Sequence, residues 1–306
     1  MRDRQELAIA RSVIYASLFD YPLTLDQLHE SLIALTLTRE QILARYDSSP
    51  RLRSIVSFQD GFFFPAGRRE LIAERRRREA RSREFLRRHR RMLQIICALP
   101  FTRMVALSGS IAHLNLDEGG DLDLFIVTRG RRVWTVMVAA IVLTRLLRVR
   151  RVVCANFVMA DTQLALAHDD LFTANQVLHL KPLLGSEVLE GFVAANPFVR
   201  RFYPNRRPAR SDFLVDQPRW VRAVKSAAET LLAPALPAIE AICHRAYEWH
   251  LHRKSPSWRS PDAVRLDRDA LKLHTQSHRR AVLARFEARV HDVEAALGRG
   301  EQAAIA

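Results

Sequence analysis

The stretch DLDLFIVT, residues 121–128, constrains the fold more than any other part of the chain. Its aromatic and β-branched residues read as a buried strand, and strand alternation puts Asp121 and Asp123 on one face with Leu122 and Leu124 on the other. Burying one ionised carboxylate is costly, and burying two on the same side is worse unless a cation lies between them. Carboxylates at i and i+2 also suit two oxygen ligands of a hard cation, which makes the pair a candidate site for Mg²⁺ or Mn²⁺. Upstream, TRMVALSGS reads as a strand that ends in a Gly109-Ser110 turn, where backbone N–H groups and a hydroxyl can meet a phosphate. A cation beside a phosphate cradle is the equipment of phosphoryl-group chemistry, in which the metal neutralises developing charge and orients the leaving group.

The flanking pattern predicts an apolar helix over Val133–Leu147 and a third strand over roughly Val152–Met159. That helix is shorter than the roughly 20 residues of a membrane crossing and is interrupted by Arg145, so it is expected to lie against the sheet, with no membrane as partner. The three cysteines, Cys97, Cys154 and Cys243, form no CxxC pair, and the N-terminus has no secretory pattern. Both features predict a cytoplasmic location.

Residues 1–66 predict a winged-helix-like unit. Helical spacing over residues 5–18 is followed by LDQLHESLIAL, capped by Thr24, and REQILARY, whose Thr38 and Gln41 form a capping box. IVSFQDGFFFP then supplies two β-prone runs around Asp60-Gly61. Residues 67–99 predict a basic linker helix that extends from Arg68 to Arg91 with twelve arginines and four glutamates and is closed by Pro100. The α/β core is expected over 100–165. Residues 166–306 predict a helical C-terminal region, with Gly298 as a stop to its last helix. The fold class is α/β, in the α+β sense.

Leu107, Gly109-Ser110, ten further residues and then Asp121-Leu122-Asp123-Leu124 resemble the signature of the polymerase-beta-type nucleotidyltransferase superfamily, an hG[GS] turn before a DhD strand. LFDYPLT, RMVALSGSIA, DLDLFIVT and LFTANQV further resemble bacterial proteins that join a winged-helix-like region to a minimal nucleotidyltransferase domain and a helical tail. The resemblance implies a small mixed sheet, phosphate binding by Gly109 and Ser110, and Mg²⁺ binding by Asp121 and Asp123. It also implies a third carboxylate on a later strand, but Asn156 stands near that position, with Asp161 beyond the strand and Asp117 and Glu118 in the loop before the pair. Asn156 leaves three outcomes open: a one-metal enzyme, a substrate-assisted enzyme and a nucleotide-binding pseudoenzyme.

The expectation is a Mg²⁺-dependent enzyme that moves a nucleoside monophosphate from an NTP to an unidentified hydroxyl-type acceptor. The alternative is a catalytically weakened nucleotide sensor, or a nucleic-acid-binding regulator that uses the winged helix and the arginine-rich helix. The formal net charge of +15 favours polyanions without choosing among them. His274 and His278, and the looser group His244, His250 and His252, lack accompanying ligands at zinc spacing and are read as surface or interface histidines.

Overall fold

The computed structural model describes residues 2–208, 213–260, 264–273 and 278–303. The N-terminal unit runs α1 (Arg2–Ser17), β1 (Leu23–Thr24), α2 (Leu25–Glu30), α3 (Arg39–Ser48), α4 (Pro50–Ile55), β2 (Val56–Gln59) and β3 (Phe62–Pro65). Both threonines cap as expected: Thr24 with Gln27 and Thr38 with Gln41 form reciprocal capping boxes. Asp60 and Gly61 take φ of 52° and 82°, the left-handed pair that closes the β2–β3 hairpin, and β1 adds to β3. α2 is shorter than its apolar spacing predicts, while α3 runs two residues past REQILARY. α2 stops at Glu30, where the Ser31 hydroxyl donates back to the Gln27 carbonyl at 2.6 Å. The third element splits at Ser49-Pro50, because Pro50 lacks an N–H and opens α4, whose Leu52 N–H is capped by Ser49.

The arginine-rich segment is likewise two helices, α5 (Glu70–Arg88) and α6 (Arg90–Cys97). The break at His89 turns the buried face of α6, formed by Met92, Leu93, Ile96 and Cys97, into the second core of the protein. Beyond it lie β4 (Thr102–Ser108), α7 (Gly109–Ala112), β5 (Leu122–Thr128), α8 (Val133–Leu146), β6 (Val153–Ala160), α9 (Leu171–Leu178), β7 (Lys181–Leu184), α10 (Ser186–Ala194) and α11 (Phe198–Phe202). The chain continues through α12 (Arg219–Leu232), α13 (Leu236–Lys254), β8 (Val264–Leu266), β9 (Ala270–Leu273) and α14 (Arg279–Ala303).

Six strands form one mixed sheet in the order β7-β4-β5-β6-β9-β8, with β5 and β6 parallel across the α8 crossover and the other neighbours antiparallel. Three of these strands lie in the region expected to be helical. β7 carries Pro182, which reads as a breaker in sequence and is tolerated here because β7 is the sheet edge. β9 uses residues whose spacing extends the pattern of the following helix, yet Ala270 and Leu271 are fully buried against β6. α14 runs through Gly298 rather than stopping there.

One face of the sheet, with Val105, Leu107, Leu122, Leu124 and Ile126, packs on α6 and α8. The other, with Met104, Ala106, Phe125, Val127 and Met159, shares a core with the N-terminal unit and α9–α11. By parity Asp121 and Asp123 belong to this second face.

Candidate functional site

β4 and β5 pair antiparallel with Ser108 opposite Asp123, so the end of β4 delivers the Gly109-Ser110 turn to the start of β5. Gly109 adopts φ +63°, and a Cβ there would sit 2.4 Å from Asp123 Oδ2. Two constraints therefore select glycine: the left-handed backbone and the carboxylate lying against it. Asp121 precedes the first strand residue, Leu122, whose N–H donates to the Val152 carbonyl at 2.7 Å. Expected as part of the strand, Asp121 instead stands at its mouth, half-exposed, while Asp123 lies one step inside.

Asn156 reaches Asp123 through an irregularity in β6. The β5–β6 register steps from Leu124 opposite Ala155 to Phe125 opposite Phe157, leaving Asn156 as an extra residue. Its Nδ2 donates to Asp123 Oδ1. Burial, reinforced by the charge of Asp121, pushes the Asp123 carboxyl up to about 7. Cys154 lies opposite Asp123 in the same register, and burial together with Asp121 raises its thiol to about 11, so it is a weak nucleophile.

The loop between the turn and the carboxylates is held by the arginine-rich helix. Ser82 Oγ accepts the Leu116 N–H at 3.0 Å, and Arg81 donates to the Leu116 carbonyl at 3.2 Å. Arg78 and Arg81 pair with Asp117 and Glu118. Those two loop carboxylates are thus engaged with α5. Asp161, past the end of β6, accepts the Gly130 N–H at 2.7 Å and pairs with Arg103. Asp170 caps α9 and Asp169 pairs with Arg201.

Two cavities flank the turn. The smaller, about 130 Å³, is lined by Gly109, Ser110, His113 and His179 together with Tyr15 and Phe19 of the N-terminal unit. The larger, about 300 Å³, includes Ser108 and Phe125, neighbours of Asp123, and carries Arg265, Lys272 and Arg279. Gln176 borders both. Lys272 is pushed down by burial and by Arg279, and its ammonium lies 5.7 Å from the centre of the Phe157 ring. No sequence signal identified these cations, because β8, β9 and α14 reach the sheet only through tertiary folding.

The histidine groups take structural positions. His244 lies 4.4 Å from the Trp134 ring and pairs with Glu248, and His250 stacks on Tyr247. His274 lies outside the described residues. Among the described residues no group of three or more His, Cys, Asp or Glu side chains is placed to hold a metal ion. The donor set at the turn is two carboxylates and an amide. It fits an oxygen-preferring divalent cation that keeps waters or takes phosphate oxygens for its remaining positions, and it does not fit zinc. No protein-family model, curated protein or solved structure matches the chain.

Proposed function

We propose that the protein is a Mg²⁺-dependent nucleotidyltransferase, in keeping with the resemblance carried by the Gly-Ser turn and the carboxylate pair. The observation that supports this reading is that the Asp123 carboxylate lies against Gly109, where a Cβ would meet its Oδ2 at 2.4 Å. Asp121 and Asp123 would hold the metal, which when bound supplies charge neutralisation for a transferring nucleotidyl group. Gly109 and Ser110 position the phosphates of an NTP through backbone N–H groups and the Ser110 hydroxyl. The 300 Å³ cavity beside Ser108 has room for a small organic group and presents cations to an anionic one. The acceptor carries a hydroxyl or similar nucleophile.

Asn156 supports a second reading, a nucleotide-binding sensor with weakened chemistry. An amide neither accepts a proton from the attacking hydroxyl nor adds negative charge, and here it is spent on Asp123. A nucleic-acid role for the arginine-rich helix draws less support. Arg77, Arg78, Arg83 and Arg87 pair with glutamates of their own helix, and Arg75 is buried over Tyr21 at 3.7 Å.

Calorimetry with each NTP, with and without Mg²⁺, tests the reading on the wild type and on an Asp121→Asn/Asp123→Asn variant. Metal-dependent binding that the variant loses is expected, and release of pyrophosphate with a labelled nucleotide separates enzyme from sensor. A folded wild type that binds no NTP in Mg²⁺ refutes both readings.

A further inference from the structure

α12 is an amphipathic helix mounted the wrong way round for a soluble surface. Trp220, Val224 and Leu231 form one stripe, and Lys225 and Glu229 lie on the opposite side. The polar side faces the protein: Lys225 Nζ donates to the Thr102 carbonyl at 2.8 Å and to its hydroxyl at 2.7 Å, and Glu229 accepts the Phe101 N–H at 2.7 Å. The apolar stripe faces out, with Trp220 69%, Val224 61% and Leu231 81% exposed. No residue of α12 is buried.

α13 repeats the arrangement. It is anchored by buried Leu236 and Leu251, while Ile242 and Trp249, two turns apart, are 67% and 62% exposed. The two helices meet at 89° and together are apolar enough for a span that neither makes alone. Charge on this surface is sorted by sign. Glu229 is tied to Phe101, Glu240 accepts the N–H groups of Trp134 and Thr135 at the start of α8, and Glu248 pairs with His244 and His252. Arg219, Arg222, Arg245, Arg253 and Lys254 are exposed, and the Arg253 guanidinium lies 4.7 Å from the Trp249 ring centre.

We propose that α12 and α13 form a docking surface for an anionic phospholipid bilayer, on which the apolar stripes enter the headgroup boundary and the arginines meet lipid phosphates. Outward tryptophans beside arginines, with the carboxylates turned inward, are the chemistry of an interfacial helix. This is attachment without crossing: no single helix among the described residues is long and apolar enough to cross a membrane. A second copy is a poor occupant, because each chain carries a formal charge of +15, to which the arginines of this face contribute.

Co-sedimentation of the full chain with phosphatidylcholine vesicles, with and without about 30 mol% phosphatidylglycerol, tests the proposal. The anionic vesicles are expected to bind at least about tenfold more tightly, with a blue shift of tryptophan emission, and raised salt weakens the binding. Trp220→Glu/Trp249→Glu is expected to lose at least about tenfold of that binding at an unchanged melting temperature, since both side chains are exposed. Arg76→Glu/Arg88→Glu on α5 is expected to keep most of it. The proposal is overturned if the wild type ignores anionic vesicles, if only the α5 variant loses binding, or if sedimentation equilibrium shows a dimer that the tryptophan variant dissociates.

Discussion

His113 and His179 meet with ring centroids 4.0 Å apart and planes tilted by 41°, lining the cavity beside the Gly109 turn. Burial, aided by the charges of Arg75 and Lys181, pushes His113 down to about 3, and burial and the same cations hold His179 well below its ordinary value. Both rings are therefore neutral in the folded protein near neutrality, while the unfolded chain binds protons at each as pH falls through about 6.5. Stability is present above that pH and lost below it. For His113 alone, the difference in protonation between the two states removes about 2 kcal/mol between pH 7 and pH 5, and His179 adds a loss of the same sign. Asp123 works the other way, because its raised carboxyl gains a proton in the folded state over the same interval. The net pH profile of the wild type thus conceals the histidines. Comparison with His113→Gln removes the concealment, since Asp123 is common to both proteins. Urea denaturation at pH 7, 6 and 5 is expected to show the stability gap between wild type and variant shift by about 2 kcal/mol in favour of the variant as the pH falls. Parallel profiles, with the gap constant to within about 0.5 kcal/mol, would show that His113 takes up its proton within the fold and would refute the assignment of a neutral pair.

Gly109→Ala places a Cβ 2.4 Å from Asp123 Oδ2 at φ +63°, and is expected to cost about 1–2 kcal/mol from the backbone alone and to abolish Mg²⁺-dependent nucleotide binding, read by thermal denaturation and calorimetry. Asn156→Asp replaces the amide that neutralises part of the Asp123 charge. It is expected to lower stability in a chelator, and added Mg²⁺ is expected to restore it and to bind at least about tenfold more tightly than to wild type. Arg78→Ala/Arg81→Ala removes exposed ion pairs worth little to stability, about 1 kcal/mol or less, but frees the 116–118 loop. Its expected signature is faster amide exchange and proteolysis in that loop at a nearly unchanged melting temperature.

Local chemistry explains which parts of this fold were legible in the sequence. The capping boxes at Thr24 and Thr38, the Asp60-Gly61 hairpin and the strand at 122–128 each depend on residues within a few positions of one another, so pattern alone located them. The turn and the carboxylate pair were legible because Gly109 directly follows β4 and Asp123 lies on its antiparallel neighbour β5, opposite Ser108. What escaped the sequence was set at long range. β7 and β9 have no strand signature of their own and become strands by adding to edges that β4 and β6 offer. The side chain of Asn156 meets Asp123 only because β6 carries an extra residue there, which periodicity does not reveal. The cations of the larger cavity come from 265–279, more than a hundred residues beyond the Ser108 and Phe125 that line it with them.

The twelve arginines of 68–91 divide between the inside and the outside of the fold. Their number suggests a polyanion partner, while the inward members of the set serve internal tasks. Arg75 is buried beneath Tyr21, whose own ring lies 5.4 Å from His113. Arg78 and Arg81 hold the loop that leads to Asp121. Arg69, Arg76, Arg83 and Arg90 recur at seven-residue spacing and stay exposed. The inward groups form a continuous path from the N-terminal unit, through Tyr21 and the two histidines, to the Gly109 turn.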